Sequence, residues 1–248
     1  MPCHVRFLSL KVWNCQLASA FVAILTTALV ARGDWPQWGG PQDNFTVENV
    51  KLADTWPTKG PRQVWRRHLG DGYSSVVTSG KRLVTMYRED DREHAVAMDA
   101  RTGETIWQHS YEVEFLDGTN VEEFGPGPLS TPLIVDGRVC AVGVTGMLHC
   151  LHLASGKIIW KHHLVRELRG TKLYRGYSAS PIAFRDTVIL PVGGPGRGLV
   201  AFRIKDGSIA WQKHDFAISH VSPIMIRIFN PHFPFDPSRF GTQFAPTP

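Results

Sequence analysis

Apolar residues in this chain come in short runs that alternate with polar ones and stop at Gly, Asp-Gly or Ser-Gly. The stretch from Ser130 to His162 shows the pattern best. Ser130–Val135 is apolar, Asp136-Gly137 is a strong hairpin turn, and Arg138–Val144 alternates; Thr145-Gly146 turns again, Met147–Leu153 returns, and Ser155-Gly156 leads into Lys157–His162. Successive side chains on a strand point to opposite faces, so alternation bounded by such turns predicts four short strands. Runs this short leave no room for a helix of roughly ten residues.

The same frame recurs along the chain. Ala97-Met-Asp99-Ala-Arg-Thr102-Gly103-Glu-Thr-Ile-Trp107 is matched by Cys150-Leu-His152-Leu-Ala-Ser155-Gly156-Lys-Ile-Ile-Trp160 and by Ala201-Phe-Arg203-Ile-Lys-Asp206-Gly207-Ser-Ile-Ala-Trp211. Upstream of each lies a second shared element: Gly72-Tyr-Ser-Ser-Val-Val77, Leu129-Ser-Thr-Pro-Leu-Ile134 and Gly176-Tyr-Ser-Ala-Ser-Pro-Ile182. The units cover about residues 70–110, 127–165 and 175–215, and a fourth starts over 218–226. Unit one has Ser79-Gly80 at its first turn and a charged loop, Arg88–Glu93, at its second. Repeated four-stranded units of about 50 residues predict an all-β fold, a partial β-propeller of four-stranded antiparallel blades; a stacked solenoid is the other arrangement open to them. Arg62-Gln-Val-Trp65-Arg-Arg67 reads as a lone N-terminal strand, with no Gly motif before it and without its usual partners.

Each Gly of the first motif stands where a turn calls for a residue that tolerates positive φ. The Trp four residues later can lie flat against the neighbouring blade. Burying an indole removes roughly 150–250 Å² from water, an upper-bound gain of about 4–6 kcal/mol. The expected docking residues are therefore Ala97, Asp99, Thr102, Gly103, Trp107, Gly156, Trp160, Gly207 and Trp211, read as the joints between blades rather than as a surface for stacking a ligand.

The chain carries a formal net charge of +5, which at first suggests a nucleic-acid partner. Residues 1–33 hold Arg6, Lys11 and Arg32 and no acid, so the remainder is nearly balanced, with 24 bases against 22 acids. That is no footprint for a polyanion. Leu17–Val30 is an uncharged, mostly apolar run shorter than the roughly 20 residues that span a bilayer. With Ala31-Arg32-Gly33 behind it, residues 1–33 are expected to be a cleaved signal peptide, an uncleaved anchor being the alternative. Cys15 lacks the small neighbours of a lipid-attachment site. A mature chain from residue 34 would work in the periplasm or be secreted, without a stable membrane span.

Cys140 and Cys150 remain after such cleavage. A two-residue Thr145-Gly146 turn would point them to opposite faces, which argues against a disulfide. His149, Cys150 and His152 do not make a metal site, because neighbours on a strand alternate faces, and His162-His163 has the same problem. Gly193-Gly-Pro-Gly-Arg-Gly198 is followed by the strand-like Leu199–Phe202 rather than a helix, so it reads as a hairpin and not a phosphate cradle. Glu122, Glu123 and Asp117 fall in the loop before unit two and read as solvated.

The motif from Ala97 to Trp107 resembles in full the tryptophan-docking motif of the PQQ-like (pyrroloquinoline-quinone-like) β-propeller repeat family, and its two other copies match in part. Asp34-Trp-Pro-Gln-Trp38-Gly-Gly-Pro41 is similar to the opening segment of secreted bacterial members, with Gly39 where Arg is usual. The resemblance covers about residues 34–226. It implies a ring of seven or eight blades, of which this chain would hold about three, with a short form that oligomerises through its edges as the alternative. Residues 227–248, with five Pro and five Phe, are expected to be an irregular or non-native tail. Members include quinoprotein dehydrogenases and non-enzymatic scaffolds. A dehydrogenase of this kind would need PQQ with Ca²⁺ and a carboxylate base, and such members commonly carry adjacent cysteines. This chain has no Cys-Cys pair and no acidic or amide group that stands out at the strand starts. The expectation is a non-catalytic extracytoplasmic module without cofactor, binding a protein, peptide or glycan. A PQQ-dependent alcohol or sugar dehydrogenase, or the remnant of one, is the alternative, so enzymatic activity is left open.

Overall fold

A computed structural model of the chain describes residues 34–47, 53–113, 125–171 and 173–226. The expected signal peptide, the expected tail, and Asp117, Glu122 and Glu123 lie outside the described residues. Twelve strands form three sheets, with no helix among the described residues. The first sheet holds β1 (Val77–Ser79), β2 (Arg82–Glu89), β3 (Arg92–Asp99) and β4 (Thr105–Glu112). The second holds β5 (Leu133–Val135), β6 (Arg138–Val142), β7 (Met147–His152) and β8 (Ile158–His163). The third holds β9 (Ile182–Phe184), β10 (Thr187–Pro191), β11 (Leu199–Arg203) and β12 (Ile209–Lys213). Each is an antiparallel meander in chain order. Neighbouring sheets approach one another at their first strands, β1 to β5 and β5 to β9, which makes these the inner edge around a shared hub. The three sheets are blades of an open β-propeller.

Alternation within the middle strands explains how the blades stack. On β6, Val139 and Ala141 face blade one, where they pack with Val84, Met86, Ala95 and Trp107. Cys140 and Val142 face blade three, in a core with Val188, Leu190, Val200 and Phe202. Both faces are thus buried, and the strand is apolar from Val139 to Val142. A register shift falls at the same place in every blade, after Ala97, Cys150 and Ala201. These are the first residues of the three motif copies. A bulge there bends and twists the strand as it enters the turn that follows.

Two sequence expectations need correction. Arg88–Glu93 is not a loop: β2 and β3 run through it, and Asp90-Asp91 makes the turn, with Asp90 at φ 54°. Arg88 and Glu93 become cross-strand partners and are 3% and 0% exposed. Cys140 and Cys150 do not point to opposite faces. Gly143 donates its N–H to Met147 O (2.9 Å), so the β6–β7 loop is the three residues Val144-Thr145-Gly146, with Gly146 at φ 81°. The extra residue moves the register by one and places Cys140 opposite Cys150. Arg62–Arg67, expected to lack its usual partners, joins no strand ladder. Side chains fix it instead, through Trp65 Nε1 to Ala100 O (3.0 Å) and Arg67 to Gly103 O (2.9 Å).

Candidate functional site

The turns between the third and fourth strands share one backbone frame. Gly103 N–H donates to Asp99 O (2.8 Å), Gly156 to His152 O (2.8 Å) and Gly207 to Arg203 O (2.9 Å). All three glycines hold positive φ, at 74°, 68° and 75°. In blade one the side chains reinforce the frame. Asp99 Oδ1 accepts from the N–H groups of Arg101 (2.8 Å) and Thr102 (3.1 Å), and Thr102 Oγ1 accepts from Glu104 N–H (3.2 Å). His152 and Arg203 stand where Asp99 does, so the other two turns keep the main-chain bond without that Asp cap.

An indole lies against each glycine. A Cβ added to Gly103 would sit 2.7 Å from the Trp65 ring, one on Gly156 2.6 Å from Trp107, and one on Gly207 2.7 Å from Trp160. Each ring also donates Nε1–H to the carbonyl three residues before its glycine: Ala100 (3.0 Å), Leu153 (2.8 Å) and Ile204 (3.0 Å). The contacts all run one way, from the Trp of one unit to the turn of the next. Trp65 therefore joins this series, although it lies outside any ladder. Ala97 is fully buried and is the register partner of Trp107. Trp211 packs on its own blade, against Ile182, Ile189 and Ala201.

At the hub, hydroxyls join successive units. Ser75 N–H donates to Thr131 Oγ1 (3.2 Å), Thr131 N–H to Ser180 Oγ (3.0 Å), and Ser180 N–H to Ser222 Oγ (2.8 Å). The four residues occupy the same place in the second shared element. Sequence reasoning aligned that element without assigning its hydroxyls a role. The available signal was a Ser or Thr directly before Pro132, Pro181 and Pro223, since proline at a strand start gives up no ladder bond. The chain's own segment 34–36 then runs along the inner edges. Trp35 O accepts from Thr78 N–H (2.8 Å), Trp35 N–H donates to Thr78 Oγ1 (2.7 Å), and Pro36 O accepts from Ile134 N–H (2.7 Å). Asp34 Oδ1 accepts from Gly80 N–H (2.7 Å).

A buried polar cluster lies between blades one and two, at the end away from the glycine turns. Glu93 accepts from Tyr111 Oη (2.5 Å) and from Val144 N–H (2.9 Å). Burial raises its carboxyl pKa against the lowering effect of these bonds and of Arg88. Burial and the Glu93 charge push the Tyr111 hydroxyl well above its ordinary range. The His149 ring lies 4.8 Å from that of His109 and 4.5 Å from that of Tyr111. Burial first, then His109 and Lys161, bring the His149 pKa down to about 3. The His109 pKa falls by burial and Lys161. At neutral pH both imidazoles are uncharged, and Glu93 is held by its two donors. The cluster thus ties the β6–β7 loop to blade one. Among the described residues no group of three or more His, Cys, Asp or Glu is placed to hold a metal ion.

Residues 91–225 match the family model described as outer membrane protein assembly factor BamB. The chain is 25% identical over 222 residues to the outer membrane protein assembly factor BamB of Yersinia pestis, covering 84% of this chain and 49% of that protein. It is 23% identical over 164 residues to the same-named protein of Shewanella oneidensis, covering 65% of this chain and 39% of that one. The chain spans half or less of the length of these curated relatives. Among solved structures, a europium-containing methanol dehydrogenase aligns with TM-score 0.45 at 17% identity, over 61% of this chain and 26% of that one. BamB from Moraxella catarrhalis aligns with TM-score 0.32 at 17% identity, over 57% and 51%. The family match runs from the β2–β3 turn of blade one to the start of the fourth unit, and the chain belongs to the PQQ-like, BamB-type β-propeller repeat family.

Proposed function

We propose that this chain is a non-catalytic binding or scaffold module that acts outside the cytoplasm, in the periplasm or as a secreted protein, and that its partner is another protein. The observation that carries this reading is the use of the hub. Segment 34–36 and the hydroxyl series from Ser75 to Ser222 take up main-chain groups along the inner edges, where a propeller enzyme would hold its cofactor. Glu93 and the His109–His149 pair join blades one and two in the same way. The Gly103, Gly156 and Gly207 turns, with Trp65, Trp107 and Trp160 against them, act as the joints of this frame.

Two features support a protein partner. The curated relatives are named as outer membrane protein assembly factors. Tyr73 and Tyr174, 62% and 61% exposed, stand in the segments that lead into first strands, on the end opposite the glycine turns. Exposed aromatics of this kind are common anchors at protein interfaces. Among the described residues, no helix is long and apolar enough to cross a membrane.

The test has two arms. Photo-crosslinkers placed at Tyr73 and Tyr174 should capture one common envelope protein, while the same probe at Ile106 and Ile209 on the outer strands should not. Titration of the purified chain with PQQ plus Ca²⁺ should give no saturable uptake. Saturable uptake with alcohol-dependent dye reduction would overturn the reading in favour of a dehydrogenase.

A further inference from the structure

We propose that Cys140 and Cys150 close a cross-strand disulfide between β6 and β7 when the chain folds alongside a disulfide-bearing oxidant. The two residues are register partners. Main-chain bonds join Gly143 to Met147 and Leu153 to Gly137, each at 2.9 Å. Bonded and non-bonded pairs alternate along an antiparallel ladder, so the 140/150 pair falls at a non-hydrogen-bonded position. Side chains lean together there and Cα atoms lie about 4.5 Å apart, within the about 4.4–6.8 Å that disulfides span. The same one-residue shift that removed the geometric objection to this bond thus supplies its geometry.

Both side chains are 0% exposed and point into the core shared with blade three, beside Leu148, Trp160 and Phe202. Contact with Cys150 and burial hold the Cys140 thiol well above the usual range. Thiol–disulfide exchange needs a thiolate and access for the oxidant. The finished fold closes both sulfurs off from an oxidant and disfavours the Cys140 thiolate, so oxidation takes place once the β6–β7 hairpin has formed and before blade three covers it. The thiolate of one cysteine attacks a sulfur of the oxidant's disulfide, forming a mixed disulfide and releasing one thiolate. The thiolate of the other cysteine then attacks the first cysteine's sulfur, closing the internal S–S bond and expelling the second thiolate. Two thiols are oxidised, the two electrons reduce the oxidant's disulfide, and the two protons end on the released thiols. Docking of blade three then seals the bond from reductant.

The experiment uses the full chain with Cys3→Ser and Cys15→Ser, which leaves these two thiols. It is refolded from urea either in a mixture of oxidised and reduced glutathione or in dithiothreitol, then denatured and treated with a maleimide mass tag. After glutathione refolding the chain should take up no tag and weigh two hydrogens less; after dithiothreitol refolding it should take two tags. Protein refolded in dithiothreitol and given oxidised glutathione only afterwards should still take two tags. Two tags after glutathione refolding, or a persistent single glutathione adduct, would overturn the disulfide. Cross-linking of the already folded protein would overturn the order of events. In the Cys150→Ala variant the urea midpoint should no longer depend on the redox buffer, whereas in the parent it should be higher after glutathione refolding; an equal midpoint in the parent counts against a stabilising bond.

Discussion

Substituting Ala for Gly156 adds one methyl group at the joint between blades one and two, and its effect can be worked out from two separate terms. The first is conformational. Gly156 sits at φ 68°, where an L side chain costs about 1–2 kcal/mol. The second is contact. The new Cβ would lie 2.6 Å from Cε3 and 2.7 Å from Cδ2 of Trp107, so the indole has to move. Overpacking of this kind costs about 1–3 kcal/mol. Loss of the Nε1–H bond to Leu153 O adds about 1 kcal/mol. The total is about 3–6 kcal/mol. Gly137 supplies the control, because it holds the same φ of 68° and a Cβ there would meet nothing within 4 Å. Gly137→Ala should therefore cost only the first term. Trp107→Ala alone should cost about 3–5 kcal/mol, and in that background Gly156→Ala should fall to the level of Gly137→Ala. Urea unfolding followed by far-UV circular dichroism gives all five stabilities. If Gly156→Ala is no worse than Gly137→Ala, or costs as much without the indole as with it, the Gly–Trp contact is not a joint.

Trp65→Ala should destabilise the chain by about 3 kcal/mol, since its ring covers Gly103 as Trp107 covers Gly156; an unchanged melting temperature would place Trp65 outside the frame. Thr131→Val leaves Ser75 N–H without its acceptor and should cost about 1–3 kcal/mol, whereas Thr131→Ser should be nearly silent by the same unfolding assay. His149 is 3% exposed and its folded pKa is about 3 against 6.5 for the free side chain, so the unfolded chain takes up a proton that the folded chain refuses. Its contribution is complete above the unfolded value and is lost as the pH falls towards the folded one. Between about pH 7 and about pH 5 this residue alone should lower stability by about 2 kcal/mol. His149→Phe should remove that part of the pH dependence, and an identical slope for variant and parent would refute the assignment.

The blade architecture was legible because it depends on local chemistry that repeats. Turn residues at Asp136-Gly137 and the alternation on either side predict the hairpin of β5 and β6, and the structure has it at Leu133–Val142 with both turn residues at positive φ. Where turn chemistry was ambiguous, the reading failed. Thr145-Gly146 can close a two-residue or a three-residue loop, and only the bond from Gly143 to Met147 decides between them. That choice carries every side chain of β7 to one face or the other. The charged Arg88–Glu93 stretch failed for a different reason. Charge predicts exposure until a partner is at hand, and the partners of Glu93 come from β4 and from the loop of the next blade.

From the sequence alone came the class of fold and its repeat length, along with the places where glycine is needed for positive φ. These follow from backbone sterics and side-chain alternation, which act within a few residues. Tertiary structure decided which indole meets which glycine, that Trp65 takes part without a ladder, and that hydroxyls from four units link around the hub. It also brought Cys140 and Cys150 face to face. The indole and hydroxyl contacts join segments about 35 to more than 50 residues apart and are fixed by how the blades converge, whereas the cysteine pair is fixed by the three-residue loop between β6 and β7.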